Sequence, residues 1–309
     1  MHRRISAYTL AGVACAALTL TACGSESLDT GSGTSSSTSS SSSEASSSTG
    51  EAMGDETLAE ALPESVASAG KIIVGMDASY APNEFLGSDG KTIEGMNVDI
   101  FNAVAAKFGV EAEYQNATFD TIILGVNAGK YDIGVSSFTI NDERKQQVNM
   151  VSYFNAGTQW AVPKGNPEGI DPENACGLTI GVQKGTVQVD DLEARSEACT
   201  TAGNEEIKII QDDLQSKVTA GLVAGKTQAM LADSPITAYA ITQTNDALEL
   251  LGEVYDAAPY GIVVPKEQTE FADAIAQALI ASAEDGTYQA ALDTWGNAAG
   301  AITDFAVNP

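Results

Sequence analysis

The chain offers few residues of the kind that do covalent or metal chemistry. Among 309 residues there is one histidine, His2, and there are four cysteines, Cys15, Cys23, Cys176 and Cys199. His2 sits beside the start, so a processed protein would carry no imidazole. Ser-His-Asp catalysis, Cys-His catalysis and histidine-ligated metals then drop out together. There is no CxxC pair, and no paired-acid spacing singles out general acid–base work. No cofactor is expected, and what remains is charge. Arg144 lies at the start of a predicted helix capped by Asn141, and its planar guanidinium is the donor that a carboxylate takes bidentately. A surface arginine paired with Asp142 or Glu143 is the other reading. Gly185-Thr186 follows a strand pattern and opens a helical one, where free N–H groups also receive a carboxylate; an ordinary strand-to-helix turn has the same pattern. Asp233 ends a strand ahead of Ser234-Pro235, as counter-charge to an ammonium or as a helix cap.

Composition narrows the partners. Lys and Arg total 15 against 42 Asp and Glu, a formal charge of −27. That argues against nucleic acid, whose phosphates need a basic surface. With 43% apolar and 18% charged residues the body is globular, with length for about two domains. Residues 1–22 run from basic (His2, Arg3, Arg4) to mildly apolar to small, the order of a secretory signal and too short for a membrane span. Leu20-Thr21-Ala22-Cys23 resembles the bacterial lipobox, which implies a diacylated Cys23 as mature N-terminus and a lipid anchor. A cut after Ala22 that frees a soluble protein is the alternative. Loss of residues 1–22 removes two Arg and no acid, which makes the charge −29. Residues 31–50 hold twelve Ser and three Thr, too polar to offset their own ordering, so residues 23–69 are expected to be a lipidated, flexible tether. Cys15 leaves with the signal, and in an exported protein Cys176 and Cys199 are expected to form one disulfide.

From Gly70 onward short β-type runs alternate with helical ones, the pattern of an α/β fold with mostly parallel sheets. Residues 71–76 read as a buried strand ending at Asp77. Asn97 is expected to cap a helix with Val98, Phe101, Val104 and Phe108 on one face, and Asp120 another with Ile122, Ile123 and Val126 inward. Strands follow over residues 131–137, 178–182, 207–210 and 228–232, with helices over 213–222 and 235–242. Residues 157–164 and 260–266 are both strand-like and both end in Val-Pro-Lys, bracketing a complete α/β set. A chain that leaves one lobe, builds a second and returns would do this, with the two crossing strands as a hinge. Residues 70–162 with 258–309 are assigned to lobe 1 and residues 163–257 to lobe 2.

In order and spacing, several segments resemble the solute-binding proteins of family 3, which deliver polar amino acids to ABC importers. They are Gly75-Met76-Asp77-Ala78-Ser79-Tyr80-Ala81-Pro82, Gly95-Met96-Asn97-Val98-Asp99, Ser136 to Arg144, Gly181 to Thr186, Ala232-Asp233-Ser234-Pro235, Gly286-Thr287-Tyr288 and Thr294-Trp295-Gly296. The likeness spans about residues 71–296. It implies a two-lobed periplasmic-binding-protein-like fold of type II, two α/β lobes joined by two hinge strands. It also implies a non-enzymatic, monomeric lipoprotein outside the cell membrane, with a permease as partner. By the same resemblance Arg144 holds the ligand's α-carboxylate with the Gly185-Thr186 turn, and Asp233 takes its α-ammonium. Ser136, Thr139 and then Ser137 line lobe 1, and Tyr80 and Phe119 form aromatic walls. Asp77 corresponds to an acid that meets polar or cationic side chains, which favours Arg, Lys, ornithine, His or Gln over Glu or Asp. Two positions depart from the family pattern: Val187 replaces a hydroxyl residue, and Asn83 an aromatic. Two alternatives remain: an enzyme on this scaffold, a cyclohexadienyl-dehydratase-like protein using Asp77, Glu84 or Asp233 as acids, and a sensing lipoprotein without a transporter.

Overall fold

The computed structural model describes residues 56–309. The signal, Cys23 and the Ser-rich tract lie outside the described residues. The tether expected through residue 69 ends sooner, because helices α1 (Glu56–Ala59) and α2 (Glu64–Ala69) bury Leu58 and Val66 in the first lobe's core. Two anchoring apolar side chains outweigh the polar composition around them.

Strand β1 (Lys71–Met76) is followed by a small antiparallel sheet, β2 (Ser79–Tyr80), β3 (Glu84–Leu86) and β4 (Ile93–Glu94), then by α3 (Met96–Lys107) and β5 (Glu111–Asn116). A 3-10 turn at Phe119–Thr121 runs into α4 (Ile122–Asn127), β6 (Ile133–Thr139) and α5 (Asp142–Gln147). The long β7 (Val148–Pro163) carries the chain into β8 (Thr179–Gln183), α6 (Val187–Thr201), β9 (Lys208–Asp212), α7 (Gln215–Val223), β10 (Ala229–Asp233) and α8 (Ser234–Gln243). Strand β11 (Leu248–Pro265) returns, and α9 (Thr269–Glu284) and α10 (Thr287–Thr294) pack back on the first lobe.

Hydrogen bonding joins eight strands in the order β5-β1-β6-β11-β7-β10-β8-β9. Strands β5, β1 and β6 are parallel, as are β10, β8 and β9, so the expected parallel α/β layering holds within each lobe. Between them β7 and β11 run antiparallel over nearly their whole lengths. Two separate apolar cores mark the lobes. Phe101, Ile133, Tyr153 and Ile262 belong to one, and Trp160, Ile180, Leu192 and Leu231 to the other. The side-chain packing changes lobe on β7 between Ala156 and Trp160. Trp160, Ala161 and Val162, assigned to lobe 1 by sequence, therefore pack in the second lobe.

The crossing itself is at Gly157-Thr158 against Tyr255 to Ala258, where the β7–β11 register shifts twice. A Cβ on Gly157 would stand 2.6 Å from the Tyr255 carbonyl oxygen, so only glycine permits this approach. The repeated Val-Pro-Lys triplets lie elsewhere. Pro163 pairs with Leu248 and Pro265 with Val148, at opposite outer ends of the ribbon, where a residue without N–H is tolerated.

Two capping expectations fail for the same reason. Gly95 occupies the cap of α3, and Asn97 is fully buried within the helix; Thr121 caps α4, and Asp120 pairs with Lys184 instead. Cap propensity is local, and both side chains answer to distant partners.

Cys176 and Cys199 form the expected disulfide, tying α6 to the loop before β8 in the second lobe's core. The bridge spans 23 residues. Chain-entropy reasoning gives about 3 kcal/mol for a loop of that size. Replacing both cysteines by serine should lower unfolding stability in urea by ~2–4 kcal/mol, while ligand affinity changes less than threefold, since neither residue reaches the cleft.

Candidate functional site

The interlobe cleft gathers the charged groups that the sequence singled out. Asn141 caps α5 by accepting the Arg144 backbone N–H at 2.9 Å, which fixes the arginine at the cleft edge. Arg144 is buried; its guanidinium donates to the Thr139 carbonyl at 2.7 Å and across the cleft to the Gly185 carbonyl at 3.1 Å. The stacked rings of Phe119 and Phe138 lie beneath it, 5.4 and 5.5 Å away. Asp142 pairs with Lys145, so the surface-pair reading of Arg144 does not hold. Burial lowers the Arg144 pKa, and the field of Asp233 acts against that shift.

Asp233 terminates β10 and occupies the cap position of α8, yet its carboxylate makes no capping bond. It accepts instead from the hydroxyls of Tyr260 at 2.7 Å and Tyr80 at 2.9 Å, and from the Gln188 amide at 2.8 Å. Both tyrosines come from the first lobe's elements, so this one carboxylate ties the lobes together. Burial raises its pKa, while Tyr260, Tyr80, Gln188 and Arg144 favour the ionised form. Two carboxylate oxygens offer about four acceptor positions. Three are taken, which leaves one for a ligand N–H.

Thr186 opens α6, a helix of 15 residues whose N-terminal N–H groups favour anions. Its hydroxyl donates to the Gln183 carbonyl at 2.8 Å. The preceding Gly185 has φ +78°, and a Cβ there would come within 2.9 Å of the Asp120 side chain.

Tyr80, Phe119, Ser137, Thr139, Arg144, Thr186 and Asp233, seven of the nine anticipated ligand contacts, line one enclosed cavity. Its volume is about 10 Å³, room for about one water molecule. An amino acid therefore enters only after the lobes part. Outside it, a larger recess of about 300 Å³ shares Phe119, Arg144 and Thr186 as its inner wall.

Asp77 and Ser136 do not line the cavity. The Asp77 carboxylate sits behind Phe119, taking N–H donors from Ser79 at 3.0 Å, Phe119 at 3.2 Å and, from the other lobe, Gln183 at 2.6 Å. Ser136 accepts the Asp77 N–H at 3.0 Å and donates to Glu84 at 3.2 Å. Glu84 is fully buried, and desolvation together with the nearby Asp77 holds its carboxyl well above the ordinary range. Sequence reasoning missed Gln188, Gln183 and Tyr260, while Val187, noted there for lacking the family's hydroxyl, also lines the cavity. Gln188 follows Thr186 by two residues at a helix start, a signal that was available. Tyr260 reads only as a strand residue, and nothing local marks its hydroxyl.

The family described as bacterial extracellular solute-binding proteins, family 3, matches residues 72–298. The arginine-binding protein ArgT of Corynebacterium glutamicum is 36% identical over 248 residues, 80% of this chain and 81% of that protein. The L-cystine-binding protein TcyJ of Escherichia coli K12 is 27% identical over 238 residues, 76% of this chain and 86% of its own. Among solved structures, an ancestral arginine-binding protein bound to arginine superposes with a TM-score of 0.67 at 31% identity, covering 73% of this chain and 98% of that one. A Streptococcus pneumoniae ABC uptake transporter substrate-binding protein with bound histidine shares the fold, with a TM-score of 0.69 at 22% identity over 76% of this chain and 96% of that one. The chain belongs to family 3 of the bacterial extracellular solute-binding proteins.

Proposed function

We propose that this protein captures a basic L-amino acid, arginine foremost, between its lobes and delivers it to an ABC importer. The observation that carries the reading is the pairing of Arg144 and Asp233 at one enclosed cavity, each contributed by a different lobe. A zwitterion matches both charges at once and rewards closure through contacts that exist only when the lobes meet. Arginine is favoured by the names of relatives such as ArgT, and by Asp77, whose carboxylate accepts the N–H of the cavity-lining Phe119. Export follows the family's extracellular character. Attachment through a lipidated Cys23, with the Ser-rich tract as tether and a single copy as the working unit, completes the proposal.

An amino-acid-binding ancestor of cyclohexadienyl dehydratase shares 29% identity with this chain at a TM-score of 0.65. Binding is nonetheless the better reading. Of the acids available for dehydration, Asp77 and Glu84 stand outside the cavity, and Asp233 is already hydrogen-bonded three times.

Calorimetry against L-arginine, L-lysine, L-ornithine, L-citrulline, L-glutamine and L-glutamate tests the proposal. One-to-one binding of unchanged ligand, tightest for arginine, is expected, and a response to glutamate alone would refute it. Arg144→Ala should cost ~3–5 kcal/mol of binding, the scale for stripping one partner from a buried charge pair. The Asp233 shift makes binding pH-dependent. The ammonium needs an ionised carboxylate, so affinity should fall as acidity carries the solution down through Asp233's raised pKa. Stability of the ligand-free protein responds to the same group with opposite sign. A raised folded-state pKa stabilises fully below the unfolded value of about 3.9, and that contribution is lost as pH rises through the folded one. In Asp233→Asn both dependences should flatten; an unchanged pH profile of affinity would remove Asp233 from the ammonium site.

A further inference from the structure

Ser137 is the one cavity-lining residue with a strained backbone. Its φ is +55°, the left-handed region that a serine adopts only under compulsion. It lies where β6 leaves its ladders: β11 pairs with Gly134 and then with Phe138, β1 with Ile133 and Gly134, and neither takes Ser136 or Ser137 into register. The bulge frees backbone groups at the cavity wall, a recurrent device beside functional sites.

The side chain is fully committed elsewhere. A serine hydroxyl has one donor and two acceptor positions. The Ser137 hydroxyl accepts from the Asn83 amide at 3.0 Å and the Asn97 amide at 3.1 Å, and it lies 3.3 Å from Glu84 Oε1, to which it donates. Its contact with a ligand is therefore through the backbone. Glu84 Oε2 in turn receives the other hydrogen of the Asn97 amide at 2.5 Å. Asn83, Glu84 and Asn97 are each 0% exposed, and none lines the cavity.

We propose that Glu84, with Asn83 and Asn97, is a positioning residue: the buried triad grips the Ser137 hydroxyl and holds its backbone in the left-handed form that completes the binding cavity. The inference rests on the reading of that cavity as an amino-acid site. Strain persists only where surroundings over-determine it, and three directional bonds on one hydroxyl supply that constraint. It also accounts for Asn83, a polar residue that is fully buried.

Glycine adopts positive φ at no steric cost, so a Ser137→Gly background separates positioning from general structural support. With L-arginine as the probe, Glu84→Ala should weaken binding at least tenfold when Ser137 is present. In the Ser137→Gly background the same substitution should cost less than threefold. Equal losses in both backgrounds, or no loss in the first, overturn the proposal. Where Glu84→Ala does not fold, Asn83→Ala completes the same cycle with the same outcomes. A ligand-independent measurement decides the matter if arginine fails to bind the unaltered protein, a result that counts against the ligand reading alone. Backbone chemical shifts of Ser137 in serine-labelled protein should move from left-handed toward extended values in Glu84→Ala or Asn83→Ala, and shifts unchanged in both variants overturn the positioning role.

Discussion

The structure depends on one buried carboxylate. Asp233 is held by neutral donors, two tyrosine hydroxyls from the first lobe and one amide from the second. Arg144 is likewise held by neutral carbonyls, one from each lobe. Among the described residues no ion pair joins either group to an opposite charge within 4 Å. Burying a charge is costly unless hydrogen bonds and counter-charge compensate it. The hydrogen bonds are in place, and the electrostatic compensation is incomplete. Under the proposed function a zwitterion of matching polarity would supply the rest, and its recognition and lobe closure would then draw on the same free energy.

That coupling requires lobes that move without unfolding. The antiparallel β7–β11 ribbon links one core to the other, and its register shifts on either side of Tyr255. Gly157 and the facing register shifts mark the irregular stretch of the ribbon between the two cores. The exposed interlobe pair of Lys184 with Asp120 adds little, since ion pairs at this exposure contribute ~0–1 kcal/mol. Gln183 with Asp77 and Tyr80 with Asp233 are buried, Arg144 with Gly185 is partly buried, and all three contacts bridge the lobes.

Much of this was legible in the sequence, and what was missed shares a cause. Alternating patterns identified seven of the eleven strands, missing β2 to β5, and the ordered segments contain six of the seven anticipated cavity residues, Phe119 lying outside them. Local signals misled where a side chain serves a partner far along the chain. Asn97 has the composition of a helix cap, but its amide bonds Glu84, 13 residues earlier, and Ser137, 40 residues later. Asp77 was taken as a direct ligand contact because it ends a strand at the lobe edge. The Phe119 N–H and the Gln183 amide occupy it, and neither is visible from its own neighbourhood. The hinge was placed by a repeated triplet. The packing passes from one core to the other at a glycine that admits a facing carbonyl, which is tertiary information.

The acidity of the chain can be divided between surface and site. Most of the 42 acidic residues are exposed, and at physiological ionic strength their fields decay over about 8 Å. They favour cations near the protein only weakly, and they do not reach the cleft's interior with useful strength. The titratable groups shielded from solvent are few: Asp77, Glu84 and Asp233, each raised in pKa mainly by burial, and Arg144, lowered for the same reason. The charge of −27 by itself would be compatible with a basic or an acidic ligand side chain.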